Sequence, residues 1–145
     1  MNREEEIRQK FGRIWPAHVS SLARFLIECR KTFDGDLDMF LVLVVIGDST
    51  FSQRNADPRL DFDRFHAPRS LTPPEDINIR SIADFSGIPR ETVRRKVAQL
   101  AEKGWVTRKE DGFVVATEKA KQELMPLTQA SVKYLARMMA VLREG

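Results

Sequence analysis

Residues 77–116 constrain the fold most, because turn-forming residues divide this segment into short pieces. Gly87 ends one short helical pattern, and Pro89 stands where the first turn of the next helix accepts proline. The second helical pattern stops at Gly104, and apolar alternation on both sides of a turn at Gly112 predicts a β-hairpin. The segment therefore predicts a short helix, a tight turn, a second helix and a two-stranded hairpin.

Two signals mark the start of this segment. Residues 77–79, with the sequence INI, predict a short β-like piece ahead of the first helix. Ser81, followed three residues later by Asp84, predicts a capping box at the start of that helix.

Positive charge is concentrated in the same part of the chain. Residues 77–121 hold ten lysines and arginines against six acidic residues, a balance of +4, while the remaining residues balance at −1. The sequence PRETVRRK at 89–96 places four cations on what reads as one helix, where like charges repel. A local basic excess of this kind favours a polyanionic partner, because solubility alone does not require it.

Residues 81–115, with the sequence SIADFSGIPRETVRRKVAQLAEKGWVTRKEDGFVV, resemble the DNA-binding core of bacterial winged helix-turn-helix transcription regulators of the MarR and GntR type. The matching features are Ala83, Gly87 four residues later, TVRR at 92–95, Leu100, KGWV at 103–106 and the basic hairpin with its Asp-Gly tip. The flanking helices resemble MarR-type regulators only loosely. The connection at 48–76, which has 29 residues, is longer than their compact linker.

The resemblance implies a mainly helical fold with a small β-hairpin wing, flanked by N- and C-terminal dimerisation helices. It also implies sequence-specific binding of double-stranded DNA and transcriptional control. The helix at 89–103 would then be the recognition helix in the major groove, and the hairpin at 105–116 would reach the minor groove or flanking phosphates.

Helical geometry sorts the side chains of the predicted recognition helix. With Val93 at the centre of the buried face, Glu91 and Arg95 lie near the opposite side. Arginine binds guanine bidentately, and Glu91 can accept from a cytosine amino group or pair with Arg95. The complete set of predicted DNA-binding residues is Arg80, Ser81, Arg90, Glu91, Thr92, Arg94, Arg95, Lys96, Arg108 and Lys109. Of these, Arg80, Ser81 and Lys96 are predicted to contact the phosphate backbone, while Arg108 and Lys109 belong to the hairpin.

The rest of the chain divides into three further segments. Residues 1–47 predict helices with a continuous apolar stripe that passes through Pro16, either as one kinked helix or as two. Residues 48–76 hold four of the seven prolines and form a long connection, which is either an ordered wrap or a mobile insertion. Residues 117–145 predict a long helix capped by Thr117. A row with alternating spacings of three and four residues suits packing against another helix: Leu124, Leu127, Ser131, Tyr134, Met138 and Val141.

Two finer predictions concern the first and second segments. We expect Gly35 to end the first helical region and Asp36 to cap a second helix, which is apolar almost all round and central to the core. In the long connection we favour the wrap, pinned by Leu60, Phe62 and Phe65.

The terminal helices leave the oligomeric state open. Their apolar faces could close one monomeric core or pair across a twofold axis, and we favour a homodimer that reads two half-sites. A small-molecule effector is possible, but the sequence identifies none. The alternative function is a protein-interaction module whose basic face binds an acidic partner.

Catalysis, metal binding and membrane insertion find little support. The sequence contains no phosphate loop, nucleophile elbow or paired-carboxylate pattern, so we expect no enzyme, no catalytic residue and no cofactor. Asp61, Asp63 and His66 form only a weak metal-site candidate, and we expect none. The single cysteine, Cys29, excludes an internal disulfide framework. The longest apolar run, residues 39–46, is about half of a membrane span, and with no signal peptide evident we expect a cytoplasmic protein without membrane contact.

Overall fold

The computed structural model describes residues 1–51, 57–67 and 76–144. These residues are mainly helical, with one small antiparallel sheet. The helices are α1 (Arg3–Gln9), α2 (Phe11–Thr32), α3 (Leu37–Thr50), α4 (Phe62–Phe65), α5 (Ile79–Ser86), α6 (Arg90–Glu102), α7 (Glu118–Glu123) and α8 (Met125–Arg143). The strands are β1 (Ile77–Asn78), β2 (Val106–Arg108) and β3 (Phe113–Ala116). The chain forms two compact units, Met1–Gly35 with Met125–Gly145 and Asp36–Leu124.

The first unit is built on antiparallel packing of α2 against α8. Near the start of α2, the Lys10 ammonium donates to the Leu142 carbonyl at the end of α8. Further along, a His18 ring nitrogen lies 2.6 Å from the Tyr134 hydroxyl. Val141 is buried, and the other 3-4 spaced positions of α8 are half-buried, so this row packs as the sequence predicts.

The helix boundaries in this unit differ from the predicted ones. The N-terminal helices break at Lys10, while α2 runs through Pro16 without interruption. At the other end, Leu124 separates α7 from α8, so the single C-terminal helix predicted from Thr117 is wrong. At the C-terminus of α2, Gly35 takes a positive φ of 83° and donates its N–H to the Arg30 carbonyl, as expected for the end of a helix, and Asp34 before it also has a positive φ of 53°.

The second unit has α3, α5, α6 and the sheet around one core. Its fully buried side chains include Val42, Ile46, Ile82, Val93, Val97, Leu100 and Val114. Asp36 caps α3 by accepting from the Met39 N–H, as predicted. However, α3 extends to Thr50 and exposes Leu37, Leu41 and Val44 along one face, so it is not buried all round.

The sheet order is β1–β3–β2, with antiparallel neighbours. Val106 pairs with Ala116 within the hairpin, and Ile77 pairs with Val114 on the other side of β3. The strand that precedes α5 therefore pairs with the second arm of the hairpin and ties it to the two helices. The predicted β-like piece at 77–79 is present as β1, but the sequence did not predict that it would pair with β3.

The long connection is described only at 57–67; its parts at 52–56 and 68–75 lie outside the described residues. Within 57–67, Leu60 and Phe62 are exposed, which contradicts their predicted role in pinning a wrap. Phe65 does make contacts, as predicted, and His66 makes further ones. The Phe65 ring lies 4.5 Å from the buried Lys121 ammonium, and the His66 carbonyl accepts from Gln122.

Candidate nucleic-acid interface

The second motif helix, α6, presents one face to the core and one to solvent. Val93, Val97 and Leu100 are completely buried, and they anchor the helix along its length. A Schellman motif ends it: the Trp105 N–H donates to the Leu100 carbonyl, and Gly104 takes a positive φ of 78°. The outward face of α6 is therefore held in a fixed orientation.

The turn between α5 and α6 determines the residue at which α6, and with it the exposed face of α6, begins. Gly87 adopts φ 77°, the left-handed conformation that glycine accepts without strain. The Ser86 hydroxyl then accepts from the Ile88 N–H at 3.1 Å, and Pro89 takes the N-cap position. Pro89 was predicted as the first helical residue, so the recognition helix predicted at 89–103 is α6, Arg90–Glu102.

The start of α5 differs from its predicted cap. The Asn78 side chain accepts from the Ser81 N–H at 2.8 Å, so Asn78 is the N-cap. Ser81 is therefore the third residue of the helix, and the capping box predicted from Ser81 and Asp84 is wrong.

The first two turns of α6 carry the densest set of predicted site residues. Arg90, Glu91, Arg94 and Arg95 are exposed, and Thr92 is half-buried. Glu91 forms an ion pair with Arg94 rather than with Arg95. Within the described ranges, Arg95 donates a hydrogen bond to the Thr92 hydroxyl, at 3.4 Å. Within the described residues Arg90 has no charged partner.

Both lysines of the predicted DNA-binding set are held by carboxylates of the same chain. The Lys96 ammonium lies 2.7 Å from Asp36, with only 16% of its side chain exposed. The Lys109 ammonium lies 2.5 Å from Asp76, and this hydrogen bond raises the pKa of Lys109. Lys96 is therefore held by Asp36 and mostly buried in this structure, and Lys109 is partly neutralised. Both counterions were missed by the sequence reasoning.

The other predicted contacts remain accessible. Arg80 and Ser81 are exposed on α5, and Arg80 makes only a long ion pair of 3.9 Å with Asp84. Arg108 is exposed on β2 and has no ion-pair partner in the described part of the chain. The hairpin turn after it closes at Gly112, with φ 85°. The strongest candidates for accessible cationic contacts are thus Arg80, Arg90, Arg95 and Arg108.

Asp36 both caps α3 and forms an ion pair with Lys96, and replacement by asparagine would separate these two roles. Burial alone would raise the pKa of Asp36, but hydrogen bonds from Lys96 and from the Met39 N–H outweigh it, so the pKa is lowered. A lowered carboxyl pKa adds stability above the pKa of about 3.9 in the unfolded chain, and that stability is lost as the pH falls through the folded value.

We expect Asp36→Asn to keep the cap and to lower the free energy of unfolding by about 1–2 kcal/mol near pH 7, because the charge-assisted bond to Lys96 is lost. Urea unfolding at pH 7 and pH 3 measures this, and the difference between the proteins should shrink at pH 3. Asp38→Asn, in the same helical turn, is the matched control. An equal loss at both pH values would contradict the role assigned to the carboxylate charge.

Two residues of the weak metal-site candidate, Asp61 and His66, make contacts that stabilise local structure. Asp61 caps α4, and His66 Nδ1 lies 2.8 Å from the Phe62 carbonyl oxygen. Within the described ranges, no cluster of three potential metal-ligating side chains occurs, and no helix is long and apolar enough to cross a membrane.

Comparisons with protein-family models, curated proteins and solved structures gave no match. Functional assignment therefore depends on the geometry of this chain.

Proposed function

We propose that this protein is a sequence-specific duplex DNA-binding transcription regulator of the winged helix-turn-helix type. In this proposal α6 lies in the major groove, and the hairpin of β2 and β3 contacts flanking backbone or the minor groove. The order β1, α5, α6, β2, β3 supports it, since residues 81–115 resemble the DNA-binding core of MarR- and GntR-type regulators.

The observation that carries the proposal is the placement of arginines on α6. Arg90, Arg94 and Arg95 are exposed within its first two turns, while the opposite face is completely buried. A helix that enters the major groove contacts base edges with its N-terminal residues, and arginine is the side chain best suited to guanine. Pro89 offers no side-chain acceptor, and the positive end of the helix dipole adds to the attraction for phosphate.

A second copy of the chain completes the proposed regulator. The helices of the first unit expose nine large apolar side chains: Ile7, Phe11, Trp15, Val19, Leu26, Ile27, Val132, Leu135 and Met139. The Phe11 and Trp15 rings stack at 5.1 Å, which makes part of this surface contiguous. Contiguous apolar surface of this kind marks protein interfaces, and regulators that read two half-sites are twofold dimers.

The first test is fluorescence anisotropy with a mixed-sequence duplex of about 30 base pairs, across salt from about 50 to 300 mM. Arg80 and Arg108 alone would neutralise four phosphates per dimer, and Arg90 with Arg95 would raise this to eight. At about −0.9 per phosphate, log affinity should fall against log salt with a slope of about −4 to −7. A slope near −11 would mean that Lys96 and Lys109 leave their carboxylates to bind phosphate.

The same titration distinguishes DNA binding from the alternative function, a protein-interaction module that binds an acidic partner. If no duplex binding occurs at about 50 mM salt, the DNA-binding proposal is wrong. The basic face would then fit an acidic protein partner, the alternative that its charge also allows.

A further inference from the structure

Phe85 is an aromatic side chain that is not part of the core. It is 75% exposed, and among the described residues only the N-terminal Met1 leaves a larger fraction of a large apolar side chain in water. The buried face of α5 is formed by Ile79, Ile82 and Ala83. Phe85 therefore adds nothing to the core, and its exposure leaves apolar area in contact with water.

The surroundings of Phe85 differ from those of the exposed apolar residues on α2. On α5 its exposed companions are Arg80, Ser81 and Asp84, all polar or charged. Ser81 lies one turn before Phe85 on the same side of the helix, since residues four apart share a face. Phe85 is thus the one large apolar side chain among the exposed residues of α5, and its companions on this helix are polar or charged.

Phe85 is close in sequence to the helix that carries the proposed DNA-binding face. It precedes the left-handed Gly87 by two residues, and α6 with its exposed Arg90 begins directly after that turn. Asp84 is the one charged residue on the last turn of α5. Its carboxylate would repel a phosphate backbone, but Arg80 lies 3.9 Å away as a counterion and reduces this repulsion.

We propose that Phe85 contacts the 5-methyl group of a thymine in the major groove, next to the base pairs that α6 reads. A phenyl ring makes no ordinary hydrogen bond to a base edge, and the thymine methyl is the apolar feature that the major groove presents. Phe85 would then contribute to sequence preference without adding charge. This inference rests on the proposed function and extends it by one specificity-determining residue.

The test combines a protein variant with a modified DNA. The probe is the tightest duplex selected from a randomised library of about 30 base pairs, prepared with each thymine in turn replaced by uracil, which lacks only the methyl group. For the unmodified protein, one uracil position per half-site should weaken binding about fourfold, the equivalent of one buried methyl group. Phe85→Ala should bind the thymine duplex about tenfold more weakly and lose its sensitivity to that uracil.

Controls separate this contact from general effects. Leu60→Ala truncates another exposed apolar side chain in the second unit and should change neither affinity nor uracil sensitivity. The thermal midpoint of Phe85→Ala should stay close to that of the unmodified protein because the side chain is outside the core. The slope against salt should also be unchanged, since no charge is lost. Phe85→Leu, which keeps an apolar group, should give an intermediate affinity.

Three results would overturn the assignment, and they are distinguishable from failure of the proposed function. Phe85→Ala could bind as tightly as the unmodified protein, which would remove Phe85 from the interface. The unmodified protein could bind every uracil duplex as tightly as the thymine duplex, which would exclude the methyl contact. Phe85→Ala could bind more weakly and yet retain the full uracil sensitivity of the unmodified protein, which would exclude it as well. Failure of the unmodified protein to bind any duplex would instead contradict the proposed function and this inference together.

Discussion

Replacement of both Arg90 and Arg95 by alanine should lower duplex affinity at least about thirtyfold while leaving the fold intact. Each bidentate arginine–guanine contact contributes about 1–3 kcal/mol of discrimination, and about 1.4 kcal/mol is a factor of ten in affinity. Both side chains are exposed, and neither forms an ion pair in the described structure. Their removal breaks no ion pair among the described residues and takes away only the smaller contribution of the Arg95 charge to the lowered pKa of Asp36, so circular dichroism and the thermal midpoint should change little.

The selected duplex and a mixed-sequence duplex are measured side by side by anisotropy. A loss that is larger on the selected duplex indicates base readout, whereas an equal loss on both indicates phosphate contact. Lys103→Ala with Lys119→Ala is the matched control, because it removes two exposed charges near the other end of α6. If the control loses as much affinity as the test variant, α6 does not read the groove.

Arg94 is a less direct probe than either of these arginines. It is paired with Glu91, so its removal would also leave a carboxylate unpaired close to the proposed phosphate positions. A loss of affinity in Arg94→Ala would combine a lost contact with new repulsion. Arg90 and Arg95 are therefore the arginines to replace first.

Local chemistry made much of the motif predictable from sequence. Gly87 and Gly112 take the positive φ angles that glycine tolerates, and Asp36 caps α3 at the predicted position. These features depend on a residue and its near neighbours, which a sequence displays directly. The mainly helical architecture with a small hairpin follows from the same short-range signals.

Long-range pairing could not be predicted in the same way. Lys96 meets Asp36 across 60 residues, and Lys109 meets Asp76 across 33. No spacing rule connects such positions, and lysines in a basic cluster look equally free in sequence. The helix breaks at Lys10 and Leu124 were also missed, because neither residue is a strong helix breaker. Pro16 carries the strong local signal, yet α2 continues through it.

The apolar stripe of α2 shows what periodicity leaves undetermined. Ile14, Cys29 and Phe33 are buried, whereas Phe11, Trp15, Val19 and Leu26 from the same stripe are about half exposed. Helical spacing identifies which residues share a face, but not how many neighbours cover that face. One chain leaves this stripe only partly covered, which supports a second copy as the missing neighbour.

Trp15→Glu should convert the proposed dimer to a monomer and raise its dissociation constant at least about a hundredfold. Burial of an unpaired charge is strongly unfavourable, and in a twofold interface the substitution occurs twice. Because Trp15 is about half exposed in the single chain, the substitution should leave the helical circular dichroism and the fold of each chain intact. Sedimentation equilibrium across a range of protein concentrations measures the effect.

Arg24→Glu is the matched control, since Arg24 lies opposite Trp15 on α2 at 100° per residue and is also exposed. It introduces a larger charge change on the same helix and should leave the dimer unaffected. The Trp15→Glu monomer should also bind the selected duplex more weakly, because only one half-site is read at a time. An unmodified protein that sediments as a monomer at all concentrations would refute the dimer. A monomeric variant with undiminished duplex affinity would refute its role in reading two half-sites.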